Sequence, residues 1–126
     1  MDTDTAHRAI LGLLQTYFDG LYHADTARLG EIFHPDARYV NTVDGHRTNL
    51  SVLEYFALVD ARTPPSQEGQ DRRDKVLAVE IGGPNMAFAR VEMAMMGRVY
   101  TDFLTLVFDQ DRWWILAKVF HFELET

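Results

Sequence analysis

From Thr5 to Tyr22 the apolar residues Ile10, Leu11, Leu14, Tyr17, Phe18 and Leu21 recur at steps of three and four, the stripe of a long first helix. Asp25 can cap a second, short helix carrying Leu29, Ile32 and Phe33, which His34-Pro35-Asp36 ends because the residue before proline is pushed out of helical space. Ala37 to Val43 fits a strand, Asp44-Gly45 a turn, and His46-Arg47 a brief return strand. Ser51 with Glu54 three residues on is a capping-box pattern, and Val52, Leu53, Tyr55, Phe56 and Val59 carry a third helix to about Arg62. Thr63-Pro64-Pro65-Ser66 stops it, and the polar stretch Gln67 to Asp74 reads as a mobile loop or rim.

Beyond Asp74 the period changes to that of strands: Lys75 to Ile81, Met86 to Met95, Arg98 to Phe108 and Arg112 to Glu123, separated by turn residues. In the last two runs both registers are mostly apolar, which predicts strands covered on both faces. Helices followed by a meander give an α+β plan, three helices packed on one face of a curved sheet. No linker or repeat interrupts the chain, so residues 1–126 read as one domain.

Composition narrows the function classes. A chain of 126 residues with 47% hydrophobic and 25% charged residues is that of an ordinary globular domain. A net charge of −7 repels a phosphate backbone, and no basic cluster overrides it, so nucleic acid is not an expected partner. The acidic start Met1-Asp2-Thr3-Asp4 has no apolar signal core and no apolar run reaches membrane-spanning length, which predicts a cytoplasmic protein with no membrane partner. The absence of cysteine removes thiolate chemistry, the histidines lack metal-ligand spacing, and no cofactor or metal is expected.

The candidate chemistry sits in the strands. Asp102, Lys118 and His121 stand among apolar neighbours, where a charge needs a partner or a purpose. Alternation puts Arg90 and Glu92 on one face, either as an orienting guanidinium and a proton carrier or as an ion couple bridging strands. Asp102 is a pocket acid or a partner of Lys118; His121 is a proton carrier near neutral pH or a hydrogen-bonded wall. Tyr17, Tyr55 and Trp113 belong to an aromatic supply larger than a small core demands, and Tyr17 is the best single ligand contact.

The phrases Tyr17-Phe18-Asp19-Gly20-Leu21-Tyr22, Phe33-His34-Pro35-Asp36-Ala37, Asp102-Phe103-Leu104-Thr105-Leu106 and Lys118-Val119-Phe120-His121 together resemble the lumazine-binding branch of the nuclear transport factor 2-like superfamily, which includes SnoaL-like proteins. The resemblance implies a cystatin-like cone, a strongly curved mixed or antiparallel sheet around three N-terminal helices, with a pocket at the open end and a homodimer through the sheet's outer face. Within that superfamily Tyr17 matches the oxyanion-holding tyrosine of ketosteroid isomerases, but Asn41 and Leu104 stand at their two aspartate positions. Tyr39-Val40-Asn41 and Arg90-Val91-Glu92 resemble the water-holding and Arg-x-Asp segments of limonene epoxide hydrolases, whose second aspartate falls near Val119, with His121 the nearest replacement. An amide accepts no proton at neutral pH, so neither set is complete.

These readings combine into a domain that binds a small, largely apolar, ring-containing organic molecule through Tyr17, Tyr39, Asn41, Tyr55, Arg90 and Trp113. The alternatives are a cofactor-independent hydrolase, dehydratase or isomerase acting through Glu92, Asp102 or His121, and a dimerisation scaffold.

Overall fold

The structure is a computed structural model that describes residues 2–125; Met1 and Thr126, included in the expected domain, lie outside the described residues. Helix α1 spans Thr3–Tyr22, beginning where the Asp2 carboxylate accepts a hydrogen bond from the Thr5 amide at 2.7 Å. Its buried stripe comprises Ala6, Ile10, Leu13, Leu14, Tyr17, Phe18 and Leu21, each large apolar member adding about 1.5–3 kcal/mol of burial. Gly20 lets the next turn pack tightly, since a Cβ there would stand 2.5 Å from Leu29 Cδ2.

Helix α2 is only the single turn Thr26–Leu29, capped by Asp25. The expected extension to Phe33 does not form, because Ile32 and Phe33 are already captured by the sheet: the Ile32 carbonyl accepts from the Ile115 amide at 2.7 Å, and Phe33 opens strand β1, Phe33–Asn41. Pro35, which has no N–H to offer, falls inside the register break between Phe33 and Arg38. A 3₁₀ turn at Val43–Gly45, with Asp44 at φ 62° and Gly45 at φ 80°, takes more chain than a two-residue hairpin loop. The return strand β2 is therefore Thr48–Ser51 rather than His46-Arg47.

The capping box predicted at Ser51 and Glu54 forms in both directions and starts helix α3, Val52–Ala61. Because α3 follows β1 and β2, the helices are not three N-terminal ones; two precede the sheet and the third is inserted into it. Strands β3 (Arg73–Gly83), β4 (Met86–Met95), β5 (Arg98–Asp109) and β6 (Arg112–Leu124) complete a six-stranded mixed sheet in the order β2-β1-β6-β5-β4-β3, parallel only between β1 and β6. The segment expected to be a mobile rim is tied down. The Tyr22 hydroxyl donates to the Gln70 carbonyl, the Met96 amide donates to the Gln70 side chain, and Arg72 bridges Asp19 and Asp74.

One face of the sheet packs on the helices through Ala87, Ala89, Val91, Met93, Tyr100, Leu104, Leu106 and Ile115. The expectation that both faces are covered does not hold for this chain by itself. Phe103 is 47% and Val119 48% exposed on the outer face, beside Leu77 and Met86. No helix among the described residues is long and apolar enough to cross a membrane.

Candidate functional site

Strands β5 and β6 are neighbours, with Leu104 opposite Lys118 and Asp102 opposite Phe120. Asp102 and Lys118 are thus diagonal partners, close enough for long side chains to meet if both point the same way. An irregularity makes them do so. Thr105 pairs with Ala117 while Leu106 pairs with Ile115, which leaves Leu116 as the extra residue of a bulge. Upstream of it Trp113 and Ile115 face the core; downstream the inward parity passes to Lys118, Phe120 and Phe122.

The result is a buried lysine. Its side chain is 5% exposed, with Nζ donating to the Tyr55 hydroxyl at 3.1 Å and lying 4.0 Å from Asp102 Oδ2. The rings of Tyr17, Tyr39, Tyr55 and Phe120 surround Nζ at 5.0 to 5.6 Å from their centroids. Tyr17, reaching in from α1, donates its hydroxyl proton to Asp102 Oδ2 at 2.5 Å, and Asp102 Oδ1 is buried with no partner. Burying an ion costs several kcal/mol; the carboxylate, the hydroxyl and a desolvated ring cage, itself contributing about 2 kcal/mol, offset that here.

Burial alone would pull the lysine toward its neutral form, but Tyr55, Asp102 and Tyr39 outweigh it, and Lys118 is held above its ordinary value. At neutral pH it is an ammonium. Burial, reinforced by the Asp102 charge, lifts Tyr17 well above the usual phenol range. Tyr39 is also raised by burial, against the pull of the Lys118 and Arg62 charges.

In front of Lys118 opens a hollow of about 320 Å³. Tyr39, Asn41, Tyr55, Tyr100, Phe120 and Phe122 line it with Leu58, Met95 and Met96, and the partly exposed Arg62 and Arg98 join them. Tyr39 and Tyr55 stack at 4.4 Å with planes 22° apart, fixing one wall. Tyr17 and Asp102 do not reach the lining and are buried below it.

The sequence candidates therefore divide. Tyr39, Asn41 and Tyr55 line the hollow, and Tyr17 and Asp102 support its lysine. Arg90 and Glu92 share a face as alternation requires, but it is the outer one: Arg90 is exposed, and Glu92 lies 3.4 Å from Lys75 across the strand pair. An exposed pair of this kind contributes about 0–1 kcal/mol. His121 also faces outward, 2.9 Å from Glu123. Arg90, expected as a ligand contact, and Glu92 and His121, expected as proton carriers, thus lie on the opposite face of the sheet from Tyr17 and Asp102, and the bulge at Leu116 is the reason for His121. Trp113 is buried beside Phe108 along a different hollow, with Gly12 and Leu13. The sequence marks Lys118 as a charge among apolar neighbours and a partner of Asp102, but not as a site residue, although a lysine inside an apolar aromatic strand is the signal for a buried cation. Arg62 and Arg98, at the ends of α3 and β5, carried no such signal. Among the described residues no three His, Asp or Glu side chains gather to hold a metal ion.

Six mixed strands with helices on one face are the architecture of nuclear transport factor 2-like proteins of known structure. Solved structures of that class align closely: one from Silicibacter pomeroyi is 25% identical with TM-score 0.82, covering 98% of this chain and 100% of that one. Another from Shewanella baltica is 24% identical with TM-score 0.86, covering 98% of each. A cystatin-like domain from Nostoc punctiforme, 14% identical, has TM-score 0.78 over 98% of this chain and 80% of its own. Residues 5–121 match the family described as "putative lumazine-binding", and the chain belongs to it. A curated relative, the aldolase FrzH of Cladobotryum, is 28% identical over 121 residues, 94% of this chain and 93% of that protein.

Proposed function

We propose that the domain binds a small, largely apolar, ring-containing molecule and seats one of its oxygen atoms against Lys118. A single observation carries this reading: a buried ammonium with three donor hydrogens makes one hydrogen bond, to Tyr55, and it lines an aromatic-walled hollow of ligand size. Membership of a lumazine-binding family supports the same class of ligand. Screening ring compounds that carry a carbonyl or hydroxyl should find stabilisers, with about 2.7 kcal/mol gained at a hundredfold excess over Kd. Tyr39→Ala, which removes one stacked wall, should weaken the hits at least about tenfold. Hits that bind the variant as tightly as the parent would refute this pocket as their site.

The likeness to an aldolase favours a second reading, in which the Lys118 ammonium polarises a carbonyl and stabilises the enolate formed beside it. An amine held as its ammonium is unsuited to Schiff-base formation. Neither a carboxylate nor a histidine lines the hollow among the described residues, so the carbon-bound proton would have to pass to a tyrosine such as Tyr39, whose phenol is held above its ordinary value by burial. Binding is therefore the better-supported reading.

The apolar outer face, with Leu77, Phe103 and Val119 beside Arg90 and Glu92, supports a homodimer in which two sheets cover one another. Sedimentation should return a dimer, and Phe103→Asp a monomer that keeps its fold; a monomeric parent at high concentration would overturn the assembly.

A further inference from the structure

The charges around the hollow distinguish it from the rest of the molecule. The protein carries 12 basic against 19 acidic residues, yet Arg62, Arg98 and Lys118 all line this one hollow and no acidic side chain does. Three guanidinium groups elsewhere are held by carboxylates, Arg28 by Asp25, Arg72 by Asp19 and Asp74, and Arg73 by Glu125, and what sets this hollow apart is that three cationic side chains line one concave site without an acidic one. Among the described residues neither Arg62 nor Arg98 has a carboxylate within ion-pair distance. Arg98 is instead fixed by neutral groups, its guanidinium 4.2 Å above the Phe122 ring and one N–H on the Tyr100 hydroxyl at 3.2 Å. Its remaining donors keep the flat, forked arrangement that matches a carboxylate.

We infer that the pocket takes an organic anion, a ring-bearing carboxylate whose acid group meets Arg62 and Arg98 while a second oxygen on the ring reaches Lys118. This deepens the binding reading above and rests on it. Lys118 already has Asp102 at 4.0 Å, so its charge is largely compensated and it serves as a hydrogen-bond donor. The two arginines are uncompensated and partly exposed, where a dissolved anion meets them first. A cleft lined by one sign of charge between low-dielectric walls concentrates counter-ions of the opposite sign, and in an acidic protein such a cleft is a selective one.

The test uses matched pairs, several hydroxy- and oxo-substituted naphthoates and quinoline carboxylates each beside its primary amide, measured by calorimetry and thermal shift. The carboxylates should bind at least about tenfold tighter than their amides, and the preference should shrink as salt screens it. Arg62→Gln with Arg98→Gln should weaken the carboxylates at least about thirtyfold and the amides less than about threefold, amide binding showing that the variant is folded. Amides that match their acids, or acids indifferent to the double variant, would overturn the anion inference and leave the binding pocket standing. If no acid and no amide on any scaffold binds the parent protein, both readings fall together.

Discussion

Asp102→Ala should destabilise the domain by about 3–5 kcal/mol, the loss expected when one member of a buried ion pair is removed and the other charge stays behind. The residue left behind is Lys118, 5% exposed, with only the Tyr55 hydroxyl and the surrounding rings to hold its ammonium. For a chain of this length the corresponding fall in Tm is about 10–20 °C. The informative comparison is the double variant Asp102→Leu with Lys118→Met, which replaces both charges by apolar groups of similar size. It should recover most of the loss, since apolar replacement of a whole buried pair is often neutral or stabilising. Chemical denaturation of the four members of the cycle measures the coupling. Losses in Asp102→Leu and Lys118→Met alone that add up to the loss in the double variant would mean that the two side chains do not depend on each other.

Tyr17→Phe should cost about 1–3 kcal/mol, because it removes the one hydrogen bond made by a buried carboxylate whose other oxygen already has no partner. It should also alter the response to alkali. Tyr17 is held well above 10.0 and Lys118 above 10.5 in the folded chain. The native state therefore keeps protons that the unfolded chain releases near those values. A group with a raised folded pKa contributes fully below its unfolded value and loses that contribution as pH climbs toward the folded one, so stability should be flat near neutrality and fall above about pH 10. Each group steepens that fall by at most about 1.4 kcal/mol per pH unit. In Tyr17→Phe the shares of Lys118 and Tyr39 remain but the largest phenol contribution is gone, and a denaturation series from pH 8 to 11.5 should show a shallower alkaline arm. An unchanged slope would show that the phenol is not shielded from water.

Much of the fold was visible in the sequence because its local signals agree with the tertiary structure. The capping box at Ser51 and Glu54, the helical stretch from Thr5 to Tyr22 and the breaks between the strand runs ending at Met95 and Phe108 and those starting at Arg98 and Arg112 all mark element boundaries within a residue or two. Phe33 was misread because its place is set by a strand some eighty residues away, which local propensity does not report. The candidate site was less legible for two physical reasons. Alternation states that Arg90 and Glu92 lie on the same side of β4 but not which side carries the helices. Parity is also trustworthy only while the ladder is regular, and one unpaired residue in β6 was enough to send His121 outward and Lys118 inward.

That unpaired residue determines what the hollow contains. With Leu116 deleted in phase, the strand beyond it would turn over, offering Val119 and His121 to the interior and consigning Lys118 and Phe120 to the outer surface. A related chain lacking the insertion could keep every one of these letters and still hold a cavity of different polarity. Kinship in this family is therefore best judged by ladder phase as well as by residue identity.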